Sequence, residues 1–293
     1  MRRRKDSRPS VVGQRWGLPA AMVGVALLLA GCGESAARGY LPEPVTEAGH
    51  DVVFFWNATW IAALAVGVLV WGLILWCLFA YRKKNDELPT QFRYHVPLEI
   101  LYTIVPILMV AALFGKTIEV QNTLLERQDN PDVVVNVAGK KWSWDFNYIN
   151  EDVYIAGVQA ATLNDGLEGV PETLPTLVLP VDSRVEFVLT SRDVIHSFWV
   201  PQFLQKLDMV PGRVNIFQVT TTEEGTFDGK CAELCGAYHS EMLFNVQVVS
   251  QEEYDQHIED LRAAGNTGQL GLELDQYELQ PDQRDKFPEP SGR

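Results

Sequence analysis

In the stretch Cys231-Ala232-Glu233-Leu234-Cys235-Gly236-Ala237-Tyr238-His239-Ser240-Glu241-Met242, two thiols, an imidazole and a thioether fall close together. Soft sulfur beside imidazole suits copper, and a weak methionine ligand next to Cys and His is characteristic of copper electron-transfer sites on β-barrels. A second imidazole is available 35 residues upstream, at His196 in Asp193-Val194-Ile195-His196-Ser197-Phe198-Trp199. In a β-sandwich, a residue at the end of one strand can meet a loop that joins two others. Three further readings fit the same side chains. Cys231 and Cys235 could close a structural disulfide. Two Cys with two His could hold zinc tetrahedrally, which leaves Met242 without a task. One cysteine could serve a mononuclear copper site while the other stays idle.

The elements that must position these residues come in blocks. The chain has 293 residues and a net charge of −14, room for two domains of roughly 150 residues. No charged residue lies between Asp51 and Arg82, nor between Glu99 and Lys116, which excludes a purely soluble or wholly disordered chain. Residues 1–31 read as a lipoprotein signal peptide: Met1-Arg2-Arg3-Arg4-Lys5, an apolar core at Ala20–Ala30, then Leu29-Ala30-Gly31-Cys32. The segment resembles a bacterial lipobox, in which Cys32 would be acylated as the mature N-terminus; the alternative is an uncleaved anchor. Residues 32–53 then form an extracytoplasmic linker.

Residues 54–115 read as a transmembrane helical hairpin. The run from Phe54 to Tyr81 is long enough, at ~37 Å of helix, to cross a ~30 Å hydrocarbon layer. Trp56 and Trp60 at one end and Trp76 and Tyr81 at the other suit interfacial belts. The second run, Pro97–Gly115, carries Pro106, tolerable in a membrane where a neighbouring helix satisfies the freed carbonyl. Arg82, Lys83, Lys84 and Arg93 lie between the runs, so that loop faces the cytoplasm and both outer ends face out.

Residues 116–249 break into short β-branched runs separated by turn residues. Strands are expected at 133–137, 176–179, 184–190, 215–220 and 245–249, with turns at Gly139, Asn164-Asp165-Gly166, Pro211-Gly212 and Glu224-Gly225. An all-β sandwich or barrel follows. Ser250-Gln251-Glu252-Glu253 is a capping box that opens an amphipathic helix to about Ala264. The tail from Gly265, within the last block 250–293, is rich in Gly, Pro, Gln and Asp and is expected to pack little. From Lys116 onward acidic residues outnumber basic ones, 30 to 13, a balance that repels nucleic acid and attracts a basic partner. No Cys-x-x-Cys-His occurs, so no c-type haem is attached to the chain.

The string Cys-x-Glu-x-Cys-Gly-x-x-His-x-x-Met, preceded by His-Ser-Phe and a two-helix hairpin, resembles subunit II of cytochrome c oxidase. The resemblance runs from the hairpin to about residue 249 and implies a cupredoxin-like sandwich with a dinuclear copper centre, CuA. By position it implies that Cys231 and Cys235 bridge the coppers, His196 and His239 cap one each, Met242 ligates one, and the Glu233 carbonyl the other. It further implies that the Glu233 side chain helps hold a magnesium ion shared with subunit I. Trp142, in Gly139-Lys140-Lys141-Trp142-Ser143-Trp144-Asp145-Phe146, corresponds to the tryptophan that accepts electrons from cytochrome c; otherwise it is a strand aromatic packing the core. Lys140 and Lys141 replace the family's more usual His and Gln. Glu99 corresponds to a glutamate near a proton-path entrance, or serves the helix dipole. Asp193 and Asp208 match acidic positions near the donor-docking face. The resemblance implies a cell-membrane, multi-pass protein with its copper domain outside. Its partners would be subunit I with haem a, subunit III and a cytochrome c-type donor. Quinol oxidase subunit II shares this architecture without copper ligands, all of which are filled here.

Overall fold

The computed structural model describes residues 33–83, 85, 88, 91–159 and 174–288. The signal segment, Cys32, Lys84 and the expected turn at 164–166 lie outside them. Among the described residues, 33–43 belong to a unit distinct from the one that begins at Pro44.

The first membrane helix spans Glu47–Ala80 and the second Val96–Leu125, and they pack on each other. Their large apolar side chains, among them Val68, Phe79, Leu108 and Phe114, face outward, as lipid-facing helices require. Pro106 sits inside the second helix. Both helices are longer than the apolar runs. The first starts seven residues before Phe54, because the preceding Thr46 is pinned by a bridge to Thr221 and donates its hydroxyl to the Phe203 carbonyl at 3.4 Å. The second continues ten residues past Gly115, carrying a Lys116–Glu119 pair at 2.7 Å. Its extension meets the β-domain: Gln205 Nε2 donates to the Leu124 carbonyl at 3.2 Å. Beyond it, Arg127 pairs with Glu186 at 2.9 Å.

Ten strands make two five-stranded sheets: β1 (Val133–Lys140), β2 (Ser143–Tyr148), β3 (Val153–Ala156), β4 (Thr176–Pro180), β5 (Arg184–Ser191), β6 (His196–Val200), β7 (Gln205–Met209), β8 (Asn215–Thr220), β9 (Gly225–Cys231) and β10 (Leu243–Val249). One sheet runs β3-β2-β1-β5-β8 and the other β4-β10-β9-β6-β7. The β1–β5 and β4–β10 pairs are parallel and the rest antiparallel. Between the sheets Trp144, Phe146, Phe187, Phe198, Phe217 and Phe244 form a buried aromatic core with edge-on and stacked contacts. Such contacts add to what burial alone contributes.

All five expected strands are present. Gly139 is not a turn residue; it lies inside β1. The helix Gln251–Ala263 opens with the expected capping box, Glu253 N donating to Ser250 Oγ at 3.3 Å, and buries Tyr254 and Ile258. The tail departs from expectation: it runs back over the sandwich and is tied to it. Leu270 N donates to Asn147 Oδ1 at 2.8 Å, Gln280 N donates to the Gly212 carbonyl at 2.8 Å, and Leu279 is buried.

Candidate metal centre

His196 is the first residue of β6 and is fully buried. Its Nε2 lies 2.8 Å from Asp193 Oδ1. With the Nε2 proton donated there, Nδ1 is left with a free lone pair, the tautomer a metal ligand needs. That Nδ1 faces Cys231 Sγ at 3.9 Å. The ring packs closely on residue 139, where a Cβ would lie 3.1–3.2 Å from three atoms of the histidine, so glycine there spares the ring a tight contact. β6 pairs with β9 at Phe198↔Cys231, and Ala232 N donates to the Ser197 carbonyl at 3.1 Å. The end of β9, where the cysteine loop begins, is thereby fixed to the strand that carries His196.

Cys231 and Cys235 are free and buried, with sulfurs 3.9 Å apart. That is well beyond a disulfide bond of about 2.05 Å, so the disulfide reading is not the state seen here. The Cys231 sulfur is 3.2 Å from the Glu233 carbonyl oxygen. Cys235 Sγ is 3.6 Å from His239 Nδ1 and 3.8 Å from Met242 Sδ. Met242 is fully buried, and its carbonyl accepts from Cys231 N at 3.0 Å and Trp144 Nε1 at 3.4 Å. His239 opens a single 3-10 turn, His239–Glu241, and is half-buried. Among the described residues, the His196, Cys231 and Cys235 ligand atoms lie within 4.8 Å of one another.

The electrostatics invite a cation. Burial works against the Cys231 thiolate, but His196 and nearby backbone groups outweigh it and hold its pKa at about 7. Cys235 is pushed up to about 12, by burial and then by the Cys231 charge. Burial opposes the His196 cation as well, yet the bonds to Asp193 and Cys231 leave its pKa above the usual value. A positive charge between the sulfurs would favour the thiolate form of both cysteines. Two thiols, two imidazoles, a thioether and a carbonyl around one small volume match the donor set of a copper site. Met242, which a Cys2His2 zinc site would leave idle, is turned into the cluster.

Trp142 lies in the turn between β1 and β2, partly buried, with Tyr238 edge-on at 5.0 Å between centroids. It packs on Gly236, whose φ of +130° and proximity (a Cβ there would be 3.0 Å from the indole Cζ2) both demand glycine. The indole therefore rests on the residue next to Cys235.

The other expected site residues fall differently. Asp193 is not on an open docking face. Its carboxylate is buried, accepting from Lys141 N at 2.8 Å, from Val194 N at 2.7 Å and from the His196 ring. Asp208 is half-buried, its side chain 47% accessible, and paired with Lys206 at 2.9 Å, which with little opposing burial holds its carboxyl below the usual range. Lys140 turns inward to Asp145 at 2.7 Å, leaving Lys141 as the exposed basic residue of the pair. Glu99 accepts from His95 N at 3.0 Å while His95 Nδ1 accepts from Leu98 N at 3.3 Å, a reciprocal cap at the second helix. Glu233 is half-buried and Leu234 exposed. Sequence reasoning missed Arg192, the neighbour of Asp193. It is buried and donates to Asp145 and Asp275 at 2.9 Å each. An arginine next to a residue expected at the site was the available signal.

Residues 133–249 match the family "Cytochrome C oxidase subunit II, periplasmic domain", and residues 36–118 match its "transmembrane domain". The chain is 48% identical to a probable cytochrome c oxidase subunit 2 of Streptomyces avermitilis, over 78% of this chain and 80% of that one. It is 45% identical to the Streptomyces coelicolor protein of the same name, over 90% and 92%. With cytochrome c oxidase subunit 2 of Mycobacterium bovis it shares 38% identity, over 86% and 83%.

Proposed function

The chain belongs to the cytochrome c oxidase subunit II family, and we propose on that premise that it takes in electrons for a haem-copper terminal oxidase through a dinuclear CuA centre. The observation that carries this reading is the convergence of His196 with both cysteine sulfurs, from strand β6 and from the loop after β9. Cys231 and Cys235 would bridge the two coppers. His196 and His239 would each cap one copper, with Met242 on one and the Glu233 carbonyl on the other; His196 and the Glu233 carbonyl lie by the Cys231 sulfur, His239 and Met242 by the Cys235 sulfur. When bound, the bridged coppers share an unpaired electron, so that gaining or losing one changes each bond little.

The protein's own part is to hold the ligands still and dry. Asp193 fixes the His196 ring through its outer nitrogen. Burial of Met242 and both cysteines keeps water from the sulfurs. Trp142, lying on Gly236, offers a π-system between solvent and the ligand loop, a suitable point for electrons to arrive from a cytochrome c-type donor. The Glu233 side chain is assigned to a magnesium ion shared with subunit I, a hard cation suited to carboxylate. Electrons leave to haem a of subunit I, where oxygen is reduced to water with proton pumping; subunit III completes the assembly. Glu99 is placed near a proton-path entrance of subunit I while also capping its helix.

The two helices span the cell membrane with the β-domain outside, in line with the basic loop and the matched periplasmic and transmembrane segments. Cys32 would be the acylated N-terminus. Copper analysis and electron paramagnetic resonance of the purified chain test the centre. Two coppers per chain and a mixed-valence signal, both lost in Cys231→Ser or Cys235→Ser, are expected. Trp142→Ala should keep the signal and slow electron uptake. Bound zinc, or a single copper with an unshared electron, would overturn the reading.

A further inference from the structure

The tail beyond the C-terminal helix ends its run across the sandwich at the turn that carries the His196 partner. Leu270 is held from both sides by Asn147 on β2, its carbonyl accepting from Asn147 Nδ2 at 3.1 Å. From there the tail closes over Arg192. The Gly271 carbonyl accepts from Arg192 Nη1 at 3.1 Å, the Leu270 carbonyl from Nη2 at 3.3 Å, and Asp275 Oδ1 from Nη1 at 2.9 Å. Gln276 N donates to the Arg192 carbonyl at 2.7 Å. On its other side the guanidinium donates through Nε to Asp145 Oδ2 at 2.9 Å, and Asp145 also takes the Lys140 ammonium at 2.7 Å.

The four charges cancel: Lys140 and Arg192 against Asp145 and Asp275. The side chains of Asp145, Arg192 and Asp275 are nearly inaccessible, at 2%, 7% and 4%. A fully bonded buried network of this kind is rigid, and removing one member strands a charge away from water. Burial lifts the Asp275 carboxyl to about 6 against the pull of Arg192, so at neutral pH the pair is ionised.

Arg192 stands between two things the His196 ring depends on. Its own N–H donates to the carbonyl of Gly139, the residue over which the ring packs, at 2.9 Å. The next residue, Asp193, holds His196 Nε2. We propose that residues 270–276 act as a strap that positions His196: by locking Arg192 from outside, the strap fixes the Asp193 carboxylate and hence the orientation of the imidazole. Arg192 and Asp275 are positioning residues. The inference rests on the metal-centre reading for its purpose, whereas the mechanical link is testable without metal.

The test uses the full chain in detergent. Three variants are compared with the unaltered protein: Asp275→Asn, a chain ending at Ala264, and Leu279→Ala, which loosens tail packing on Val188 and Val214 away from Arg192. In the copper-free protein, amide exchange over residues 192–196 should speed by roughly tenfold or more in the first two and stay unchanged in the third, local opening being what such exchange reads. Peptides from the membrane helices act as an internal standard. After copper loading to equal content, the first two variants should show altered copper hyperfine splitting and Leu279→Ala none. Arg192→Lys, which keeps the charge and loses the fork, should resemble Asp275→Asn. If the shortened chain fails to fold, Asp275→Asn and Arg192→Lys still decide. Unchanged exchange over 192–196 in the folded strap variants would overturn the strap. If exchange responds but no dinuclear signal exists even in the unaltered chain, the strap stands and the proposed centre falls.

Discussion

The two halves of the metal centre are built differently. His196, Met242 and Cys231 sit on or against strand ends, and the two nearer the sandwich centre, His196 and Met242, are wholly inaccessible. Both nitrogens of the His196 ring have neighbours, Asp193 on one side and a sulfur on the other. The other half hangs on the loop between β9 and β10. His239 is half-buried on a three-residue turn, Gly236 holds a positive φ, and Leu234, between the cysteines, is 77% exposed. An electron relay needs both qualities: ligands that do not move, and an edge a donor can reach. On the proposed reading the strand side would supply the first, and the loop side, with Trp142 lying on Gly236, the second.

The largest effect that bears on this asymmetry comes from removing each imidazole and offering it back. His196→Gly and His239→Gly should both abolish the mixed-valence signal. Added imidazole should restore it for His239→Gly, because that position opens to solvent, and fail for His196→Gly, whose cavity is sealed by the sandwich. Equal recovery in the two variants would mean that the strand side is as open as the loop side.

A smaller change probes the same contrast through packing. Gly139→Ala places a Cβ 3.1 Å from the His196 ring, which must then give by a few tenths of an ångström against its bond to Asp193. Copper affinity should fall about 10–100-fold, the range typical when the support of a metal-bound histidine is disturbed. Leu234→Ala truncates an exposed side chain, and both affinity and stability should stay within about 0.5 kcal/mol of the unaltered chain. Competition with a copper chelator measures both. A Gly139→Ala chain of normal affinity would show that the tight approach of β1 to His196 has no consequence for the site.

How far these features could be read beforehand follows the same division. The loop half is contiguous, so Cys231, Cys235, His239 and Met242 declare themselves by type and spacing. His196 is remote, and nothing in the spacing alone ties it to the loop; the pairing of β6 with β9 does. The membrane helices were legible from their charge-free runs, but their ends were not, since each continues as far as its contacts with the sandwich. β2 was legible too: Ser143, Asp145 and Asn147 alternate strictly with Trp144, Phe146 and Tyr148, the period-two pattern of a strand. β9 carries Gly225, Asp228, Gly229 and Lys230, poor strand formers by composition, yet the Phe244 ring lies where a side chain at Gly229 would be. The tail has the makeup of a linker, and its order depends on long-range bonds no local pattern reports: to Asn147, to Gly212, and to Arg192, which Leu270, Gly271, Asp275 and Gln276 meet 78–84 positions later in the chain.

The smallest expected effect separates the two acidic residues that match docking positions. Asp208 is on the surface, charged, and paired with Lys206; an exposed pair of this kind contributes about 0–1 kcal/mol to stability. Asp208→Asn should leave the copper signal untouched and change only the rate at which the donor associates. That change should fade as salt rises, because exposed charges are screened over about 8 Å at physiological ionic strength. Asp193→Asn should behave in the opposite way. Its carboxylate accepts from a ring and two backbone amides in a buried turn, so its loss should alter the copper signal at every ionic strength. Stopped-flow reduction of the loaded protein at low and high salt, with spectra of each variant, makes the distinction. A salt-dependent rate with an unchanged signal in Asp193→Asn would return that residue to the docking face, and the His196 ring would then need another explanation for its orientation.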